Sequence, residues 1–288
     1  MAHTHKDTCR ICASTDLLKV LSLGEHPPVD NFVAPDRLGE EKRYPLEVYF
    51  CRACSLVQLI DVVPPTELFH DAYAFFSSAS APLVRHFESY ATQIKEKCLS
   101  PGDLVVDIGS NDGALLQFFL PEHRVLGIEP SSNVAEAAQK KGIETIVEFF
   151  NEEMAKRIVE THGKAKVVTA NNVFAHIDDL DEIVRGIKTL LTDDGVFVSE
   201  SHYLLDLVQH MEFDTIYHEH LCYYSVKPLQ YLFERFDMEV FDVERVAQHG
   251  GSIRVFARNR SSAPIDPRVK ELFDLEEKSG LHTAETFL

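Results

Sequence analysis

The stretch from Val105 to Gly113, with the sequence VVDIGSNDG, constrains the fold of this chain more than any other segment. The apolar run Leu104–Ile108 predicts a strand buried on both faces. Small residues follow it and predict a tight turn that leads into a helix over Ala114–Phe119. Such a turn lets a ligand approach backbone amides closely at the carboxyl end of a strand. We therefore expect a sheet with a binding site at one edge.

Strands and helices alternate after this turn, which implies a parallel sheet with right-handed crossovers. The pattern weakens after residue 205, although further elements are still expected there. The prediction is an α/β fold with strands at 124–128, 167–170, 195–200, 238–245 and 252–257, and helices near 131–141, 179–191, 204–211 and 227–236.

Four of the six cysteines form two C-x-x-C pairs, Cys9/Cys12 and Cys51/Cys54, separated by 38 residues. Each pair can place two thiolates on one turn, and two such turns make a tetrahedral four-sulfur site that suits zinc. Apolar runs flank the second pair, as in a zinc ribbon. The alternatives are a redox disulfide or unrelated cysteines. A closed four-thiolate site leaves no position for a substrate, so the predicted role of the zinc is structural.

Asp107, Gly109, Asn111 and Gly113 follow the order D-x-G-x-N-x-G. This order resembles motif I of the class I S-adenosylmethionine-dependent methyltransferases, D/E-x-G-x-G-x-G. Asn111 replaces the middle glycine, and asparagine tolerates a positive φ better than most residues. The G-x-G-x-x-G fingerprint of dinucleotide-binding proteins is missing, which counts against a nicotinamide-dependent oxidoreductase.

The spacing of later polar residues supports the same cofactor. Glu129 ends the next predicted strand, where a carboxylate can accept hydrogen bonds from both ribose hydroxyls. Asn171 and Asn172 follow the strand at 167–170, where methyltransferases line the cofactor pocket. The competing interpretation is an ordinary doubly wound domain with a tight turn and an acidic strand end.

The formal net charge of −18 disfavours nucleic acid as the main partner, because such a surface repels phosphate backbones. It therefore also disfavours the alternative of a zinc-ribbon RNA methyltransferase. The first seven residues contain no apolar run, and no stretch approaches the ~20 apolar residues that span a bilayer. We expect a soluble, cytoplasmic protein without a membrane partner.

Three further motifs, Tyr73–Ser78, Tyr217–His220 and His249–Ser252, complete a pattern that extends over nearly the whole chain. With the cysteine pairs and the 107–113 loop, the chain resembles the nucleotide-sugar C-methyltransferases, specifically the C3-methyltransferases of deoxysugar biosynthesis. The resemblance implies a nucleotide-sugar substrate, expected to be dTDP-linked. It also implies a zinc-binding module (1–65), a cofactor-binding domain (66–205) and a C-terminal α/β substrate-binding segment (206–288). The family's C-terminal domain continues further, so we expect this segment to be truncated or abbreviated.

Methylating a carbon requires a carbanion equivalent, and a 4-keto sugar provides one when the proton beside the ketone is removed. The resulting enolate needs a base of near-neutral pKa and stabilisation of its oxygen. Imidazole meets the first need. The resemblance assigns His220 as the base, with Tyr217 and Glu219 to orient it or to bind the sugar. It also places Tyr73 over the cofactor and His176 toward the substrate.

A polar surface or packing run, or a second metal site, is the alternative for the Tyr217–His220 motif. His218 and His220 are two residues apart, which does not match the i, i+4 spacing of a helical zinc pair. A non-catalytic module that binds S-adenosylmethionine is the remaining alternative for the chain.

Overall fold

A computed structural model of the chain describes residues 3–69 and 73–288. The strands within these ranges are β1 (Thr4–His5), β2 (Leu17–His26), β3 (Tyr44–Cys51), β4 (Val57–Leu59), β5 (Asp61–Val62), β6 (Leu104–Ile108), β7 (Arg124–Ile128), β8 (Thr145–Ile146), β9 (Ala165–Asn171), β10 (Leu191–His202), β11 (Cys222–Tyr223), β12 (Met238–Val246) and β13 (Ser252–Asn259). The α-helices are α1 (Pro65–Leu68), α2 (Ala81–Cys98), α3 (Ser132–Lys140), α4 (Glu152–His162), α5 (Leu180–Leu190), α6 (Leu204–His210), α7 (Val226–Glu234) and α8 (Pro267–Lys278).

The larger sheet has the strand order β12-β13-β10-β9-β6-β7-β8 among the described residues. Strands β8, β7, β6, β9 and β10 run parallel, and β13 joins antiparallel to both β10 and β12. Every residue of β6 is buried, as expected for a central strand covered on both faces. Because parallel strands end at the same edge, the loops after β6, β7 and β9 converge there.

Strands from both sides of the predicted boundary at 205/206 share this sheet, since β12 and β13 extend it beyond β10. The register pairs Val196–His202 of β10 with Ser252–Arg258 of β13, so the contact is long and regular. The C-terminal segment is therefore continuous with the cofactor-binding sheet.

A smaller sheet has the order β11-β4-β3-β2 within residues 3–69 and 73–288. Alternate residues of β3 are buried, which gives this sheet one apolar face. Its outermost strand β11 comes from the C-terminal half of the chain, with Cys222 opposite Gln58. The chain that follows His220 is thus paired directly to the N-terminal module.

The helix predicted over Ala114–Phe119 is wrong, because only one 3₁₀ turn forms, at Leu116–Phe118. Pro121 disfavours helical backbone at the residue before it, and β7 already begins at Arg124. The connection therefore has no room for a longer helix.

The described helices include none with the length and apolar character needed to cross a bilayer.

Candidate active site

A cavity of about 660 Å³ opens at the edge where the parallel strands end. This volume lies in the range of small-molecule sites. Its wall contains all five residues predicted to be catalytic and five of the seven predicted to bind the cofactor: Tyr73, His176, Tyr217, Glu219, His220, Gly109, Asn111, Glu129, Asn171 and Asn172.

Asp107 and Gly113 lie outside the cavity wall and shape the loop from behind. The Asp107 carboxylate accepts a hydrogen bond from Thr169 Oγ1 at 2.5 Å, which ties β6 to β9. Burial raises the pKa of Asp107 to about 7, with the nearby charge of Glu129 adding to the shift. A Cβ at Gly113, where φ is +75°, would collide with the side chain of Ile143. Both residues thus lie behind the loop, where these contacts maintain its shape.

The Glu129 carboxylate lies against the loop after β6. It accepts the backbone N–H of Asn111 at 3.0 Å and that of Ser131 at 2.9 Å. Burial raises the pKa of Glu129, although the hydrogen bonds from the N–H groups of Ser131 and Asn111 act to lower it. The carboxylate is therefore fixed in orientation at the end of β7, where a ribose would be held.

Asn111 adopts a φ of +49°, so the turn keeps the conformation that a middle glycine would give. Its side chain also makes contacts that glycine lacks. Nδ2 donates to the Phe75 carbonyl at 3.0 Å, and Oδ1 accepts the Ser77 N–H at 2.9 Å. Asn133 Nδ2 adds a bond to the Tyr73 carbonyl at 2.9 Å. These three hydrogen bonds hold the 73–78 segment against the loop that follows β6 and against α3.

Replacing Asn111 with glycine is expected to weaken S-adenosylhomocysteine binding by up to about 30-fold. The turn is preserved but two hydrogen bonds, each contributing about 1 kcal/mol, are lost from the 73–78 segment. Asn111→Ala should weaken binding further, because alanine also strains the positive φ. Calorimetric titration of both variants measures the effect. Equal affinity of Asn111→Gly and wild type would show that the hydrogen bonds from Asn111 to the 73–78 segment do not contribute to binding.

Asn171 and Asn172 present side-chain amide atoms that are buried and lack a hydrogen-bond partner among the described residues. Buried amides of this kind normally have a partner, so these atoms are available to a polar ligand in the cavity. The cavity wall also carries seven acidic side chains and, within the described residues, no lysine or arginine: Asp30, Glu129, Glu148, Asp178, Asp179, Glu182 and Glu219. Such a wall attracts a cation. Orphaned amides, a fixed carboxylate and negative potential together fit a nucleoside that carries a sulfonium and an ammonium group.

His220 is buried and lies among aromatic and histidine rings. Its Nδ1 lies 2.7 Å from the Thr215 carbonyl, so Nδ1 carries the proton and Nε2 keeps its lone pair. The ring centroid is 3.9 Å from that of Tyr217, 4.7 Å from His202 and 5.1 Å from His176. Burial lowers the pKa of His220 well below its ordinary value, and the two neighbouring histidines lower it further. The imidazole is thus neutral, with one nitrogen ready to accept a proton.

The other predicted catalytic residues surround this ring. Burial, then the neighbouring His202, lowers the pKa of His176 to about 3. Glu219 is 3% exposed, and burial, then Asp30, raises its pKa to about 8. Burial also raises the pKa of both Tyr73 and Tyr217. At neutral pH the site therefore offers neutral hydrogen-bond donors beside a neutral base.

His218 points away from the cavity, and its Nε2 lies 3.2 Å from the Tyr44 carbonyl in the N-terminal module. The sequence analysis did not single out Asp30 or His202, which both line the cavity. His202 ends β10 at the ligand-binding edge, a position that could have indicated it. Asp30 lies between β2 and β3, and no signal in its surroundings pointed to the cavity.

The four paired cysteines meet at one point of the N-terminal module. Their sulfur atoms all lie within 4.8 Å of one another, with Cys9 and Cys54 at 3.5 Å and Cys12 and Cys51 at 3.5 Å. Zinc–sulfur bonds of about 2.3 Å in a tetrahedron need sulfurs roughly 3.8 Å apart. Hydrogen bonds from Cys51 and Cys54 lower the pKa of Cys9 to about 2. This donor set fits a structural zinc ion.

Comparison with known proteins identifies the family. A family model described as a methyltransferase domain matches residues 84–243, more than half of the chain. The chain belongs to this methyltransferase family. A second model, of a zinc binding domain, matches residues 9–69. The predictions of a class I methyltransferase fold, an S-adenosylmethionine cofactor and an N-terminal zinc module are thereby confirmed.

This methyltransferase is 38% identical over 279 residues to the C-methyltransferase NovU of Streptomyces niveus. The alignment covers 96% of the chain and 66% of NovU, so the chain spans about two thirds of the length of that relative. Among solved structures, magnesium protoporphyrin IX methyltransferase of Synechocystis PCC 6803 is 16% identical, with coverage of 62% of this chain and 83% of that chain and a TM-score of 0.47. An S-adenosylmethionine-dependent methyltransferase of Clostridium acetobutylicum is 13% identical, with coverages of 62% and 92% and a TM-score of 0.48.

Proposed function

We propose that the chain is an S-adenosylmethionine-dependent C-methyltransferase that acts on a dTDP-linked 4-keto-deoxysugar. The methyl group goes to C3 through an enolate, with His220 as the base. The observation that carries this proposal is the imidazole of His220, whose Nε2 lone pair is free in the cavity that also holds the 109–113 loop. The C-methyltransferase NovU, similar over most of this chain, supports carbon as the methylated atom.

The residues at the strand ends hold the cofactor in this proposal. Glu129 accepts hydrogen bonds from the ribose hydroxyls, and the amides of Asn171 and Asn172 bond the polar groups of the nucleoside or its amino-acid tail. When bound, S-adenosylmethionine supplies an electrophilic methyl group on sulfur. The carboxylates of the wall favour its positive charge over the neutral sulfur of the product.

The histidine and its neighbours carry out the proton chemistry. Nε2 of His220 takes the proton from the carbon beside the ketone, and the electron pair of that C–H bond moves into the enolate. A carboxylic acid or phenol beside the ketone oxygen stabilises the developing negative charge. Glu219, protonated because its pKa is about 8, and Tyr217 are placed to donate these hydrogen bonds. The enolate carbon would then bond to the methyl carbon of S-adenosylmethionine as the bond from that carbon to sulfur breaks, which would restore the ketone and leave S-adenosylhomocysteine.

The charge of the cavity determines which part of the substrate enters it. A diphosphate would face carboxylates such as Asp30 and Asp179, with no lysine or arginine of the described wall to pair with it. The sugar ring therefore enters, while the diphosphate and the nucleoside remain outside. The same charge disfavours the RNA methyltransferase alternative, because flipping a base into the cavity brings its phosphates close to these carboxylates.

The purified chain, incubated with S-adenosylmethionine and a dTDP-linked 4-keto-6-deoxyhexose, is expected to give a sugar nucleotide heavier by one CH₂ group. Mass spectrometry detects the product, and NMR distinguishes a methyl group on C3 from one on C5. A product methylated on oxygen would contradict the enolate route. Binding of S-adenosylhomocysteine without any turnover would instead support a non-catalytic binding module.

A further inference from the structure

The first cysteine turn carries a buried arginine that reaches the loops of the active site. Arg10 lies between Cys9 and Cys12, and its side chain is 0% exposed. Arginine is almost never fully buried unless it is paired. Its Nε donates to the Asp178 carboxylate at 3.0 Å, and its Nη1 donates to Gln58 Oε1 at 3.2 Å and to the Leu59 carbonyl. The guanidinium therefore connects the zinc module to the methyltransferase domain.

Both loops that Arg10 contacts carry a histidine of the cavity. Asp178 follows His176 by two residues. The Leu221 carbonyl, directly after His220, accepts from Nη1 of Arg10 at 3.4 Å and from the Leu59 N–H at 3.0 Å. One guanidinium thus touches the segments that hold the base and its neighbouring imidazole.

A second arginine fixes the same cysteine turn from the opposite side. Arg235, just after α7, donates to the Ile11 carbonyl within the turn. It also forms a two-pronged ion pair with Asp181 in the first turn of α5, at 2.8 and 2.7 Å. The cysteine turn is consequently held between α7 and the chain that leads from His176 into α5. A shift of the turn would be transmitted to the histidines.

We propose that Arg10 is a positioning residue that transmits the geometry of the cysteine turn to His176 and His220. Its Nε and Nη1 donate to a carboxylate, a side-chain amide oxygen and backbone carbonyls at once, which the single ammonium of a lysine cannot do. Without it, the Asp178 carboxylate keeps its ion pair with Lys6 and the Leu221 carbonyl keeps the Leu59 N–H, but the one side chain that contacts both loops is lost. A displacement of about 1 Å at a catalytic group costs ~10²-fold in rate. The effect on turnover rests on the proposed function, whereas the effect on the histidine rings does not.

The test compares Arg10→Gln with Arg52→Gln in the full chain. Arg52 occupies the same place in the second cysteine turn, Cys51–Cys54, but its side chain is 51% exposed and pairs with Asp16 at the surface. Three measurements are made: zinc content, ¹⁵N NMR of the histidine rings assigned by single substitutions, and turnover of the dTDP-linked 4-keto-6-deoxyhexose. Arg10→Gln is expected to retain zinc, to shift the signals of His176 and His220, and to lower kcat ~10–100-fold with unchanged affinity for S-adenosylhomocysteine.

Arg52→Gln should leave both the histidine signals and kcat at wild-type values, and Arg10→Lys should recover part of the lost rate. Asp178→Asn approaches the same contact without touching the cysteine turn, and it should shift the same two signals. If Arg10→Gln does not fold, the histidine signals of Asp178→Asn provide the test. Unchanged histidine signals in a folded, zinc-containing Arg10→Gln or Asp178→Asn variant would overturn the proposal. Absence of turnover in the wild type would overturn the proposed function instead, while the ring signals still test Arg10.

Discussion

Replacing His220 with glutamine is expected to lower kcat by about 10²–10⁴-fold, the range over which a general base contributes, with S-adenosylhomocysteine bound as tightly as in wild type. The Nδ1–H of the imidazole donates a hydrogen bond to the Thr215 carbonyl, so Nε2 is the atom that accepts the substrate proton. Glutamine has no basic nitrogen, although it can keep a hydrogen bond to Thr215. Steady-state kinetics combined with calorimetry of the cofactor product separates these two effects.

A second histidine serves as the control for this substitution. His210, in α6, has a side chain that is 55% exposed and pairs with Glu212 at the surface. His210→Gln should turn over at the wild-type rate. Wild-type kcat in His220→Gln would remove His220 from the catalytic role, whereas a loss of cofactor affinity would indicate a role in building the site.

The pH profile gives an independent check on the same residue. Burial, followed by the neighbouring His176 and His202, lowers the pKa of His220 below the ordinary value of 6.5. As the pH falls through that lowered pKa, Nε2 is protonated and the base is lost. The acid limb of kcat/KM should therefore lie below pH 6.5. His202→Gln removes one of the histidines that lower this pKa and should move the limb toward higher pH.

The parts of the fold that could be predicted depend on local pattern. Strands Leu104–Ile108 and Arg124–Ile128 have the bounds that their apolar runs predicted, and α3 and α5 differ from prediction by one residue at each end. Continuous apolar runs and helical periodicity depend only on neighbouring residues, so they can be recognised in a single sequence. Helices α4 and α8 were not predicted although their start signals are present. The Asn151 side chain caps α4, and Asp266 with Pro267 begins α8.

What could not be predicted depends on contacts between distant segments. Nothing near Cys222 indicates that β11 pairs with β4, more than 150 residues earlier in the chain. The same holds for the pairing of β13 with β10, which makes one sheet of two predicted domains. The buried position of Arg10 follows from these long-range pairings. A charged residue between two cysteines is otherwise expected to be exposed, as Arg52 is.

The candidate site divides in the same way. Gly109, Asn111 and Glu129 were predicted from a motif and a spacing, and all three line one cavity with His220. The role of each motif residue could not be predicted, because a motif does not distinguish a residue that touches the ligand from one that shapes the loop. Asp107 and Gly113 shape it through Thr169 and Ile143, and both contacts come from other elements.

Removing the zinc is expected to cause the largest loss of stability. Structural zinc sites contribute ~10–16 kcal/mol of binding free energy in small domains. A loss of only ~5 kcal/mol from the free energy of unfolding would reduce the melting temperature by roughly 10–20 °C. Cys51→Ser removes one of four thiolates that lie within 4.8 Å of each other. The variant should lose zinc and melt early, as measured by metal analysis and differential scanning calorimetry. Cys98→Ser, at a half-buried cysteine of α2 outside the cluster, should retain both zinc and stability.

The position of β11 extends this expectation from stability to the active site. The small sheet that carries the second cysteine turn also pairs with Cys222 and Tyr223, directly after the loop of His220. Loosening the sheet should free that loop before the large sheet unfolds, because the core between the large sheet and α2 contains no residue of the small sheet. Hydrogen exchange in Cys51→Ser should therefore rise at 217–223 as well as in β2–β4, while the amides of β6 stay protected. Exchange confined to β2–β4 would show that the zinc module stabilises itself alone and leaves His220 in place.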